Sequence, residues 1–182
     1  QVKAMKQVAG TVKLDLPGQR VDVAQTRRER YRRPGALPQV EPADITQDLT
    51  RRDFTINAMA VALHQGAWGQ LIKVKRSAED ITAGLVRVLH DHSFQDDATR
   101  LLRAVRYEQR FDFLLEEATE RLARRNAAML DTISGDRVRR ELTLLLQEPR
   151  PGNCLQRLQG LGLLQAIHPA LRWTPEAHRA LA

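Results

Sequence analysis

The stretch Arg51-Arg52-Asp53-Phe54-Thr55-Ile56-Asn57-Ala58 decides how this chain reads. It lies in a run from Asp44 to Leu63 in which Ile45, Leu49, Ile56, Met59 and Leu63 recur at about three, four or seven residues. That spacing places them near one helical face and predicts a helix through the whole segment. On such a helix Asp53 and Asn57 are four apart and share a face, with Arg52 and Ile56 beside them. A carboxylate, an amide and a guanidinium converging there could hold a ribose and a phosphate. The same residues would equally make a solvated helix face with a local ion pair, and spacing leaves both readings open.

Downstream, Gly84 to His90 reads as a strand and the remainder as helices. One helix starts at Ser93 or Asp96 and runs to about Arg110, a second covers Leu115 to Met129, and a third follows the N-cap Ser134 to about Gln147. A fourth spans roughly Asn153 to Gln165, separated from the third by Pro149 and Pro151, which cannot continue a helix interior. In the first of these, Arg100, Arg103, Arg106 and Arg110 are three, three and four apart and form one stripe, with Leu101, Leu102 and Val105 turned away. Like charges this close repel, so the stripe calls for phosphates or buried carboxylates opposite it, and Asp96, Asp97 and Glu108 could supply some of that pairing. Arginine also reads a base edge through paired hydrogen bonds, and aspartate accepts from an exocyclic amine.

Upstream, Thr11 to Leu16 and Arg20 to Ala24 alternate polar and apolar residues about Pro17-Gly18, as in a β-hairpin. Asp22, between Val21 and Val23, projects from the face opposite the valines. A metal-binding carboxylate is presented in that way, and so is a solvated one; Mg²⁺ takes more than one oxygen ligand. The basic, Pro/Gly-marked segment from Arg27 to Pro38 has the composition of an extended or mobile loop.

The composition is globular: 182 residues, 42% hydrophobic and 28% charged, with apolar runs too short to span a membrane. A net charge of +7 points toward a polyanionic partner. Cys154 is the only cysteine, which excludes an internal disulfide or a thiolate zinc site and suits a cytoplasmic protein.

Taken together, RRDFTINA at 51–58, the strand Leu85-Val86-Arg87-Val88-Leu89-His90 and the run from Asp96 through Arg100 to Tyr107 resemble the bacterial class II tRNA nucleotidyltransferase and poly(A) polymerase family. So do Val21-Asp22-Val23-Ala24, then Arg27, Glu29, Tyr31 and Arg33-Pro34-Gly35-Ala36-Leu37-Pro38 upstream, and Ser134-Gly135-Asp136-Arg137 with Glu141-Leu142 downstream. The likeness runs in order from about Gly10 to His168.

The resemblance implies an α/β N-terminal piece, part of a polymerase-β-type palm, followed by an all-α neck and body. Residues 1–92 would be the C-terminal part of the palm, 93–150 the neck with its nucleotide-recognition helix, and 151–182 the start of the body. Such enzymes add nucleotides from CTP or ATP to an RNA 3′ end, tRNA above all, without a nucleic-acid template and with two Mg²⁺ ions. Carried across, Arg52 and Asp53 would bind ribose and triphosphate with Asn57 nearby, and Asp97 and Arg100 would hydrogen-bond the incoming base. Arg103 and Arg106 would support that pocket or the phosphates. Asp22 would be a catalytic, metal-binding carboxylate, and Arg28, Arg30, Arg32, Arg124 and Arg125 would meet RNA.

Three departures stand out. No glycine-rich turn with an Asp-x-Asp pair precedes Asp22, so the start at Gln1 reads as trimmed and the principal metal ligands are expected upstream. Leu71-Ile72-Lys73-Val74-Lys75-Arg76-Ser77 stands where the family shows Asp-Pro and paired glycines, and Asp96 and Asp136 replace glutamates. A non-catalytic RNA-binding module is the alternative, and a protein-docking role the third reading.

Overall fold

Alternation of period two builds the first sheet in this computed structural model, which describes residues 5–8, 10–174, 176, 177 and 179. Strands β1 (Met5–Val8), β2 (Thr11–Leu16) and β3 (Gln19–Ala24) are antiparallel, with Leu14 opposite Val21 and Lys13 opposite Asp22. The expected hairpin is there; Gln1 to Ala4, included in the expected palm, lie outside the described residues, as do 175, 178 and 180–182 of the expected body.

Of the segment expected as an extended or mobile loop, Arg27–Arg30 form a strand and residues 31–38 make the connection after it. Strand β4 (Arg27–Arg30) pairs antiparallel with β5 (Gln39–Pro42), placing Arg28 opposite Glu41 and Glu29 opposite Val40. Two of its arginines meet acidic partners, Arg27 on Glu29 and Arg28 on Glu41, which a reading of the basic run alone overlooks. The turn between the strands docks at Gly35 (φ +71°), where a Cβ would stand 2.3 Å from Thr132 Oγ1 and 2.5 Å from its carbonyl oxygen. Only glycine fits that approach.

Helix α1 (Ile45–Thr50) begins at Asp44, whose carboxylate accepts from the Gln47 N–H at 2.8 Å. It stops there, so RRDFTINA does not lie on a helix. Phe54 is wholly buried, bridges to Val88, and is followed by a 3-10 turn, Thr55–Asn57, with the Thr55 N–H donating to the Arg87 carbonyl at 2.9 Å. Strand β6 (Met59–Val61) then pairs with β7 (Leu71–Lys73). Burial of Phe54 and the backbone bond to Arg87 override a periodicity that Met59 and Leu63 matched by coincidence.

Helix α2 (Ser77–Ala83) starts after Arg76, which adopts a left-handed φ of 69°, and closes on Gly84 at φ 65°. The expected strand is reduced to β8 (Leu85–Val86), parallel to β9 (Leu114–Leu115). The expected helix from Ser93 is two: α3 (Ser93–Asp96), then a break at Asp97, then α4 (Thr99–Phe111). Helix α5 (Glu117–Arg125), a 3-10 segment (Ala127–Thr132), α6 (Gly135–Leu146), α7 (Pro151–Gly160) and α8 (Leu163–Ile167) complete the array. One continuous core joins Phe54, Val86 and Val88 to Phe94, Leu101, Leu102 and Val105 of α3 and α4, and onward to Leu145, Leu158 and Leu163. The turn and strand residues before position 90 and the helices after it therefore stabilise one another through shared apolar burial.

Candidate functional site

A cleft of about 470 Å³ opens where the RRDFTINA turn meets α4, α6 and the end of β4. Arg51, Arg52, Asp53 and Asn57 come from the turn, Asp97, Thr99, Arg100, Arg103 and Tyr107 from α4 and the residue group before it, and Glu29, Tyr31 and Glu141 complete the lining.

Asp53 is saturated. Its Oδ1 accepts from the Phe54 N–H at 2.9 Å and Asn57 Nδ2 at 3.0 Å, and its Oδ2 accepts from Arg103 Nε at 2.9 Å and Nη2 at 2.5 Å. The expected meeting of Asp53 and Asn57 is thus real, made by a turn rather than by helical spacing. Burial opposes the Arg103 cation, but Asp53, Tyr107 and Glu141 outweigh it and raise the guanidinium pKa. Its Nη2 also donates to the Tyr107 hydroxyl at 2.9 Å, and the guanidinium lies 5.3 Å from that ring centre.

Asp48 organises the neighbouring arginines. It accepts from the Arg27 N–H, from Arg51 at 2.7 Å and from Arg52 at 3.1 Å. Burial alone would raise its pKa, yet the Arg51, Arg27 N–H and Arg52 hydrogen bonds hold it below the ordinary carboxylate value. Arg52 reaches back to the Asn57 carbonyl at 3.1 Å, while its buried Nε has no partner among the described residues. Arg51 donates to Glu29 at 2.8 Å, and the Tyr31 hydroxyl donates to the other Glu29 oxygen at 2.8 Å. Burial first, then Glu29, raises the Tyr31 phenol well above its usual value.

Asp97 sits at the break before α4. Its Oδ1 accepts from the Thr99 N–H at 2.9 Å, the Thr99 hydroxyl at 2.7 Å and Arg137 Nη2 at 2.8 Å. All three bonds hold one oxygen, and the residue lines the cleft. Arg100 is buried and anchored by Nη1 on Ser93 Oγ at 2.7 Å and by Nη2 on the Arg51 carbonyl at 2.9 Å. The arginine stripe resolves further along: Arg103 faces Asp53, Arg106 faces Glu141 at 3.7 Å, and Arg110 faces Glu148 at 2.7 Å. Of the two expectations for the stripe, buried carboxylates are what these three meet.

The other expected residues lie apart. Asp22 is exposed, has Lys13 Nζ at 3.5 Å and does not line the cleft, so its placement does not support the catalytic and metal role. Among the described residues no group of three or more His, Cys, Asp or Glu side chains could hold a metal. Arg28 pairs with Glu41 and Arg124 with Glu120, while Arg30, Arg32 and Arg125 are exposed. Arg137 and Glu141 entered the reading from sequence only among the residues of the resemblance, with no site role, and Asp48 did not enter it. The available signal was Arg137 and Glu141, four apart and so on one face of a helix.

Residues 1–87 match the family model for the poly A polymerase head domain, and residues 112–174 match the one for the probable RNA and SrmB-binding site of polymerase A. An A-adding tRNA nucleotidyltransferase of Geobacter sulfurreducens is 44% identical over 175 residues, covering 94% of this chain and 20% of that protein. A solved CCA-adding enzyme in an apo form is 39% identical with a TM-score of 0.89, over 95% of this chain and 42% of its own. A tRNA nucleotidyltransferase solved with a primer tRNA and an incoming ATP analog is 30% identical with a TM-score of 0.84, over 97% and 50%. The chain belongs to the class II tRNA nucleotidyltransferase and poly(A) polymerase family, which is metal-dependent. It spans a fifth of the Geobacter relative and half or less of the two solved enzymes. No helix among the described residues is long and apolar enough to cross a membrane.

Proposed function

We propose that the cleft binds ATP or CTP, as the nucleotide site of a template-independent nucleotidyltransferase acting on a tRNA 3′ end in the cytoplasm. The observation that carries this is Asp97, fixed through one oxygen and lining a cleft that also holds Arg52, Asp53 and Asn57. In this reading Asp97 Oδ2 accepts from the exocyclic amine of adenine or cytosine, and Arg100 donates to the ring with the N–H groups it does not spend on Ser93 and Arg51. Asp53 and Asn57 bind the ribose, and Arg52, with its unpartnered Nε, meets the triphosphate. Arg103 and Arg106 support the wall. The relatives solved with nucleotide and tRNA support the same reading. The division at about residues 92 and 150 into head, neck and body belongs to it as well.

Mg²⁺ is the metal this reading expects, but the residues described do not fit it: Asp22 stands away from the cleft on an exposed strand. In this reading the chain's own residues supply binding and base selection. The test is equilibrium dialysis of the 182-residue chain with labelled ATP, CTP, GTP and UTP, followed by primer extension on tRNA lacking its terminal nucleotides. Preference for ATP or CTP, with extension far below about 1 s⁻¹, is expected. Equal affinity for all four would refute the base reading. Nucleotide-independent tRNA binding alone would point to an RNA-binding module.

A further inference from the structure

Asp53 has no vacancy for a ribose. A carboxylate offers about four acceptor positions, and Phe54 N–H, Asn57 Nδ2 and two nitrogens of Arg103 fill them. For Asp53 to accept from a sugar hydroxyl, one donor has to leave. The Phe54 N–H is fixed by the backbone. Arg103 is the donor with somewhere to go.

That place is Glu141. Its carboxylate, 8% exposed and lining the cleft, lies 3.9 Å from Arg103 Nη1 and 3.7 Å from Arg106 Nη2, beyond hydrogen-bond distance of either. Among the described residues its Oε2 has no hydrogen-bond partner, and neither does Nε of Arg106, which is 6% exposed. A buried carboxylate left between two guanidiniums without a bond to either is costly unless another state uses it. Tyr107 lies beside both guanidiniums, its ring centre 5.3 Å from that of Arg103 and 5.2 Å from that of Arg106.

We propose that Glu141 is a positioning residue that receives the Arg103 guanidinium when nucleotide enters, freeing Asp53 Oδ2 for a ribose hydroxyl. The exchange moves the Arg103 cation from one buried carboxylate to the other, with the ribose hydroxyl, a neutral donor, taking its place on Asp53. It makes sugar recognition depend on a residue that never touches the sugar. This rests on the nucleotide-binding reading above.

The experiment measures affinities of the 182-residue chain for ATP, 2′-deoxy-ATP and 3′-deoxy-ATP by calorimetry, in wild type and Glu141→Gln. Wild type should bind at least one deoxy analogue about three- to tenfold more weakly than ATP, the size of one lost hydrogen bond. In Glu141→Gln, ATP should weaken to the level of that analogue, and the analogue itself should be unchanged. Equal weakening of ATP and the analogue would show general damage to the cleft and overturn the proposal. Undiminished discrimination in Glu141→Gln would overturn it while leaving the nucleotide site standing. Wild-type binding of ATP without discrimination would instead remove Asp53 from ribose recognition, and no ATP binding would remove the site, each taking the proposal with it. A crystal structure of the wild-type chain with ATP decides independently of how the variant folds: Arg103 bonded to Glu141 is expected, and Arg103 still paired with both nitrogens on Asp53 refutes the exchange.

Discussion

Asp53→Asn probes the contact on which the cleft is built. Asparagine keeps the shape but turns one oxygen into an NH₂ group. With that group in the Oδ2 position it points at the two Arg103 donors; in the Oδ1 position it points at the Phe54 N–H and the Asn57 amide. Both orientations set donor against donor, and both leave the Arg103 cation without its main counter-charge. Breaking a buried ion pair by removing one partner costs about 3–5 kcal/mol, and orphaning a buried backbone N–H about 1–3 kcal/mol. Two features reduce this. The Arg103 side chain is 28% exposed and keeps some water, and Glu141 lies close enough to take part of the charge. The expected loss is about 2–4 kcal/mol, read as a lower urea midpoint with an unchanged slope. Because the head turn and the helices share one core, a single transition is expected, with a fall in Tm of roughly 6–12 °C. A loss below about 0.5 kcal/mol would show that Arg103 is not held on Asp53 in solution, and the cleft geometry would have to be redrawn.

Arg76→Gly should stabilise the chain by roughly 0.5–1 kcal/mol, because Arg76 occupies a left-handed φ that costs an L-residue energy glycine does not pay; an unchanged or lower urea midpoint would contradict that. Cys154 is buried, and burial, aided by the Glu148 charge, pushes its thiol up to about 11 from an ordinary value near 9. The folded state thus holds the proton more tightly than the unfolded one, so this contribution is complete below about pH 9 and is lost as pH rises toward 11. Iodoacetamide at pH 8 should react only after unfolding; rapid labelling of the native chain would refute it. Changing exposed Arg30 and Arg32 together to Ala should lower tRNA affinity and flatten its log–log salt slope by about two if both meet phosphates; an unchanged slope would remove β4 and the turn after it from the RNA surface.

How much of this was legible in the sequence depended on whether the deciding interaction was local. The β2–β3 hairpin needs only alternation and Pro17-Gly18, and it forms as read. Helices α4, α6 and α7 were visible because each carries its own apolar face or cap signal, although the register break at Asp97 was not. The break is made by a side chain that caps the next helix through Thr99 and is held from outside by Arg137, 40 residues away in sequence. RRDFTINA shows the opposite case. Its residues meet in the expected pairs, but the helix invoked to bring them together ends at Thr50. Phe54 is drawn into a core whose other half is supplied by Val88 and α4, and that burial sets the turn which puts Asn57 against Asp53. Spacing cannot report such a contact, because the force behind it comes from 30 or more residues downstream. The same holds for Glu141. Four residues from Arg137, it reads as an ordinary exposed helical acid until α4 sets Arg103 and Arg106 in front of it. What makes it chemically interesting is that these two arginines approach without bonding to it, and no one-dimensional pattern encodes a distance of that kind.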